Sequence, residues 1–187
     1  MTRAGVSRAA FYSCFDDLGS CAAAAYERFI SVLIGRLTQA MDPTAHWHEF
    51  VTSAIHAYLE TLQADLVVTR ALQIEMDTAG KPARARRRLA LKQIADVIAS
   101  RHAQLRAEDP TVGPLPEQAH LGHVYAVRQF ACDALEDDPD ADLLALVQPT
   151  VLWVTAAVAG AASAAAAASR DELLAFRTAS GTAKQSV

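Results

Sequence analysis

A chain of 187 residues that is 52% hydrophobic can bury one substantial core, and with 8 Gly and 7 Pro against abundant Ala and Leu its composition favours helices over strands. The net charge of −4 excludes a protein whose whole surface grips nucleic acid, while leaving room for a local basic patch. Cys14, Cys21 and Cys132 lack metal-ligand spacing and no secretory signal is read, so reduced thiols in the cytoplasm are expected.

The stretch around which the chain is organised runs Ala4-Gly5-Val6-Ser7-Arg8-Ala9-Ala10-Phe11-Tyr12-Ser13-Cys14-Phe15. Gly5 allows a sharp turn and Ser7 can cap the helix behind it. On that helix Phe11 and Phe15 fall on one face while Arg8 and Tyr12 fall on another. One stripe can pack and the other can meet a phosphate backbone, which is the layout of a helix-turn-helix recognition helix, expected over about residues 7–15.

With Asp16-Asp17 and Tyr26-Glu27-Arg28-Phe29-Ile30 behind it, the stretch resembles the recognition helix and first connecting helix of TetR-family transcriptional regulators. Cys14 stands where that pattern often has His, and Leu18-Gly19 where it usually has Lys-Glu. The resemblance implies an all-α, TetR-like helical bundle: a partial helix-turn-helix followed by a helical ligand-binding and dimerisation domain. It implies a homodimer in which a small apolar effector alters DNA binding, with Ser7, Arg8, Ala9 and Tyr12 towards a double-stranded operator. Only Met1-Thr2-Arg3 precede the turn where the family places supporting helices, so operator binding is expected to be weak or lost. The alternative is a ligand-binding and dimerisation protein that no longer binds DNA.

Further along, Asp17 can cap a long helix to Met41 on which Tyr26, Phe29, Ile30, Leu33, Ile34 and Leu37 recur at three-and-four spacing. Asp42-Pro43 reads as an N-cap and first-turn proline for a helix carrying Trp47, Phe50, Val51, Ala54, Ile55, Tyr58, Leu59 and Leu62. Asp65 caps a shorter helix from Leu66 to Asp77, and Gly80-Lys81-Pro82 opens one that reaches Glu108. A proline-rich loop from Asp109 to Pro116 follows, then a helix to Glu136 and a last helix from Ala141 to about Ser169. The expected division is residues 1–41 for the partial helix-turn-helix and connecting helix, 42–177 for effector binding and dimerisation, and 178–187 for a flexible tail.

Residues 143–169 carry no charge, long enough to pose the question of a membrane span. The run is mostly Ala and includes Gln148 and Pro149, so a buried helix is the preferred reading and no membrane partner is expected. Ala156, Gly160 and Ala164 form a small-residue stripe that permits close approach of a partner helix, and under the resemblance they mark the dimer interface. The basic cluster Lys81, Arg84, Arg86, Arg87, Arg88 and Lys92 reads as a solvated helix face, with the acidic stretch Asp133 to Asp142 as a possible counterpart. His46 with His48 and His120 with His123 lack a third ligand at metal spacing, so no metal is expected. No phosphate loop, nucleophile elbow or zincin motif is found, so neither a cofactor nor an enzyme activity is expected. Trp47, Phe50, Tyr58, Met76, Tyr125 and Phe130 lie on helices that, under the resemblance, surround an effector cavity, and aromatic and Met side chains suit an apolar ligand; the alternative is that they simply fill the core.

Overall fold

The computed structural model describes residues 5–74, 81–109 and 112–160, and these are all-helical, with no strand among them. The helices are α1 (Arg8–Tyr12), α2 (Leu18–Ala40), α3 (Trp47–Gln63), α4 (Leu66–Gln73), α5 (Lys81–Glu108), α6 (Glu117–Asp137) and α7 (Leu143–Gly160), the last opening with a 3-10 turn over Leu143–Leu146.

Local chemistry sets most of the boundaries. Gly5 sits at φ 62, the left-handed region that glycine enters without a Cβ penalty. Ser7 then accepts from the Ala10 amide at 3.1 Å and starts α1. This helix closes at Ser13, whose hydroxyl donates to the Ala10 carbonyl at 2.9 Å, so it is shorter than the expected 7–15. Asp17 and Ser20 form a reciprocal capping box at the start of α2, with the Ser20 amide donating to Asp17 Oδ1 at 2.7 Å. Asp65 caps α4 through the Val68 amide at 3.0 Å.

Asp42 departs from its expected role. Its Oδ1 accepts from the Thr44 amide at 2.8 Å and the Thr44 hydroxyl at 2.7 Å, making a local Asx turn, and α3 starts later, behind His46. Those two bonds hold the Asp42 carboxyl below its ordinary pKa. The helix expected from Leu66 to Asp77 ends at Gln73, with Ile74 as its C-cap, and Met76 lies outside the described residues. The last helix is described only to Gly160, so its expected extension to Ser169, Ala164 and the tail lie outside as well.

Helix α3 runs through the middle of the core. It buries nine of its residues, from Phe50 to Leu62, against α2 on one side and the start of α7 on the other, while α5 pairs with α6. Leu33 and Leu37 of α2 belong to the same buried cluster as Leu59 and Leu62, so the core runs without a break past the expected boundary at residue 41. Leu59, Leu135 and Leu143 are wholly buried, each contributing about 1.5–3 kcal/mol relative to exposure. Polar side chains join the layers. Gln63 Oε1 accepts from the Leu143 amide at 2.7 Å, and buried Arg128 donates through Nε to Gln73 Oε1 at 3.0 Å and through Nη2 to the Gln73 carbonyl. Arg70 donates to the Leu135 carbonyl, so α4 is fixed to α6 at two points.

Candidate functional site

The first half of α3 and the helices facing it leave a cavity of about 60 Å³ in the core. A water needs roughly 10–15 Å³ on this measure, so the space takes a few small groups without any rearrangement. Trp47, Phe50, Val51, Ala54, Ile55 and Tyr58 of α3 form one wall. Ile94 and Ile98 of α5, and His120, His123, Val124 and Val127 of α6, face it. Val154 and Val158 of α7, Leu115 of the preceding loop and Leu37 of α2 complete the lining.

The walls are almost wholly carbon, and the exceptions cluster. Trp47 stacks on Phe50 with centroids 5.9 Å apart and reaches the ring of His102 at 5.7 Å. His102 in turn meets His120 at 5.2 Å. Trp47 Nε1, His102 Nε2 and both ring nitrogens of His120 are buried without a hydrogen-bond partner among the described residues, as is the Tyr58 hydroxyl. Each such group typically costs about 1–3 kcal/mol relative to a satisfied one, so a cluster of them calls for a physical reason. Burial pushes the pKa of His102, His120 and His123 below that of a free imidazole, with His120 further lowering His102 and His123. Burial also pushes the Tyr58 phenol up.

Of the candidate pocket residues, Trp47, Phe50 and Tyr58 share this cavity. Tyr125 and Phe130 do not join them: they are 38% and 44% exposed and neither lines the cavity. Their helical phase explains the difference, because His120, Val124 and Ala131 take the buried stripe while Gly122, Tyr125, Gln129 and Phe130 take the exposed one. Phe130 instead meets Trp153 of α7 edge-on at 6.0 Å. Around Trp153, the outer face of α7 exposes Gln148, Leu152, Ala156 and Gly160, all uncharged. A Cβ built on Gly160 would meet nothing within 4 Å among the described residues. On α1 and the turn before it Ser7, Arg8, Ala9 and Tyr12 are all exposed, and the Phe11 and Phe15 rings pair at 5.6 Å.

Sequence reasoning passed over His102. The available signal was phase: it follows Leu91, Ile94, Ala95 and Ile98 on the apolar stripe of α5, as His120 leads the stripe of α6, and a histidine at a core position is rarely neutral to the fold. His46 and His48, by contrast, are exposed. Two members of the basic cluster bridge to acids outside the stretch from Asp133 to Asp142: Arg86 to Glu27 of α2, and Lys92 to Asp96 one turn on at 2.9 Å. Cys14 is exposed and Cys132 buried, and burial raises the Cys132 thiol pKa. Helices α2 and α7 are long and apolar enough to cross a membrane by length and composition alone, yet each packs a buried stripe into the common core.

No protein-family model matches this chain, and neither does any curated protein or solved structure.

Proposed function

We propose that the chain is a TetR-like, ligand-responsive transcriptional regulator that works as a homodimer, with the α3-centred cavity as its effector site. The observation that carries this reading is Leu37. It lines the cavity from α2, the same helix whose other end is capped by Asp17 directly behind the turn and α1. Helix α2 spans 23 residues, roughly 34 Å, so a small displacement at Leu37 becomes a larger one at α1. An occupant that fits one position of α2 better than another shifts the equilibrium between the two placements of the exposed Arg8 and Tyr12 by no more than its differential affinity for them.

The dimer reading rests on the outer face of α6 and α7. Phe130, Leu152 and Trp153 expose large apolar side chains on the helices that also expose Ala156 and Gly160, and an apolar surface of this kind marks an interaction surface. His123 joins the two sites, since it lines the cavity and meets Trp153 edge-on at 5.2 Å. Repression follows from the family resemblance alone, and the cytoplasm as working compartment from the three unpaired cysteines.

One observation favours the alternative of a ligand-binding dimer without DNA affinity: no residue of α1 is buried, so the helix is held by little more than its own caps. Selection from a randomised duplex library, followed by gel shift at about 0.15 M salt, separates the two. A sequence-selective complex that Arg8→Ala weakens supports the regulator. Weak, non-selective binding that vanishes with salt assigns the chain to the alternative.

A further inference from the structure

Resting on the reading of the cavity as an effector site, we infer that its occupant is a hydrocarbon, a single ring or a short branched chain, that carries no hydrogen-bonding group. The lining decides the chemistry. Among the described residues no Asp, Glu, Lys, Arg, Ser, Thr, Asn or Gln lines the cavity, and Phe50, Val51, Ile55, Ile94, Val124 and Val154 present only carbon. Trp47, Tyr58 and His120 line it with ring carbons, because the indole nitrogen, the phenol oxygen and both imidazole nitrogens are buried so completely that they present almost no surface to anything inside it. His123 is the remaining polar side chain of the lining, and its ring lies edge-on to Trp153 at 5.2 Å.

A hydroxyl, amine or carboxylate on the guest therefore leaves water and finds no partner here, a loss that grows from neutral groups to charged ones. A hydrocarbon forfeits nothing. Volume then bounds its size. An engineered protein cavity of about 150 Å³ takes up benzene, whereas this one holds about 60 Å³. A single ring thus enters by pushing side chains of the wall aside, and a long acyl chain would need the helices to part. Leu37 of α2 belongs to that wall, so a guest somewhat larger than the resting space bears on the helix that leads to α1.

The test is calorimetric titration of the intact chain with toluene, benzyl alcohol and benzoate, which share one ring and differ in the polar group. Toluene should bind tightest, benzyl alcohol at least about tenfold weaker and benzoate weakest. Two reference solvents separate the chemistry of the wall from hydrophobicity at large, since octanol can hydrogen-bond to a solute and cyclohexane cannot. The affinity ratio of toluene to benzyl alcohol should follow cyclohexane–water partition and exceed the ratio set by octanol–water partition. Val154→Phe, which fills the space, should abolish toluene binding; where it fails to fold, Val154→Ile, one methylene larger, should weaken that binding. A ratio at or below the octanol value, or benzoate binding as tightly as toluene, overturns the hydrocarbon inference while leaving an effector site with a polar anchor standing. Toluene binding undiminished in the filled variant overturns it as well, by placing the guest elsewhere. Failure of all three compounds to bind overturns the inference and counts against the effector site itself.

Discussion

The two faces of α6 carry similar residues and meet opposite fates. Inward, His120, Val124 and Val127 close a cavity with α3 and α5; elsewhere on the helix Gly122, Tyr125 and Phe130 lie open, Phe130 against Trp153 of α7. Aromatic and small residues alone do not tell a pocket from a docking face. Phase does, together with what is stranded: the inner face buries polar ring atoms without partners, whereas the outer one exposes carbon without charge.

The contrast breaks most readily at the core. Leu59 is 0% exposed and is not among the residues lining the α3 cavity, so Leu59→Ala should cost about 2–5 kcal/mol in urea unfolding. Leu152, 71% exposed, should cost less than about 0.5 kcal/mol when cut to Ala in dilute, dissociated protein. Comparable losses from the two would mean that the outer face is not free in the single chain. On that outer face Trp153→Asp should weaken self-association by about 2–4 kcal/mol in sedimentation, with the helical circular dichroism unchanged. Gly160→Leu, at a position where an added Cβ meets nothing among the described residues, should weaken it by about 1–3 kcal/mol. Self-association as tight as that of the wild type in both would remove α7 from the interface.

Acid tests the inner face. His102, His120 and His123 titrate below 6.5 in the fold, so in acid the unfolded chain binds protons that the folded chain does not. Stability is therefore fully present above about pH 6.5 and falls as the pH drops below it. The melting temperature should be lower at about pH 5 than at about pH 7.5, and the drop should shrink in His120→Phe. The smallest effect belongs to the exposed bridge between Arg86 and Glu27: Glu27→Gln should cost only about 0.2–1 kcal/mol, and less at high salt.

Local signals made the helices legible. Asp17 and Asp65 cap where their sequence context placed them, and the apolar stripe of α3 from Phe50 to Leu62 is buried as its spacing requires. Asp42 misled because Thr44 supplies closer partners than a helix start does, a competition that the Asp-Pro pair alone does not display. The cavity was legible along α3, where Trp47, Phe50 and Tyr58 share one helix, and illegible across helices. Tyr125 and Phe130 were drawn in by residue type, although their phase on α6 differs from that of His120 and Val124. The pairing of His102 with His120 joins residues of different helices, and only the packing of α5 on α6 brings the rings together.

The central claim, that α3 lines an effector site rather than a solid core, is tested most directly by thermal unfolding of the wild type and Phe50→Ser across a panel of apolar small molecules. At a hundredfold excess over its Kd, a binding compound should stabilise the wild type by about 2.7 kcal/mol. Phe50→Ser should lose that response while keeping most of its unliganded stability. A loss of several kcal/mol in Phe50→Ser, with no compound shifting the wild type, would contradict the account and make this stretch of α3 ordinary core.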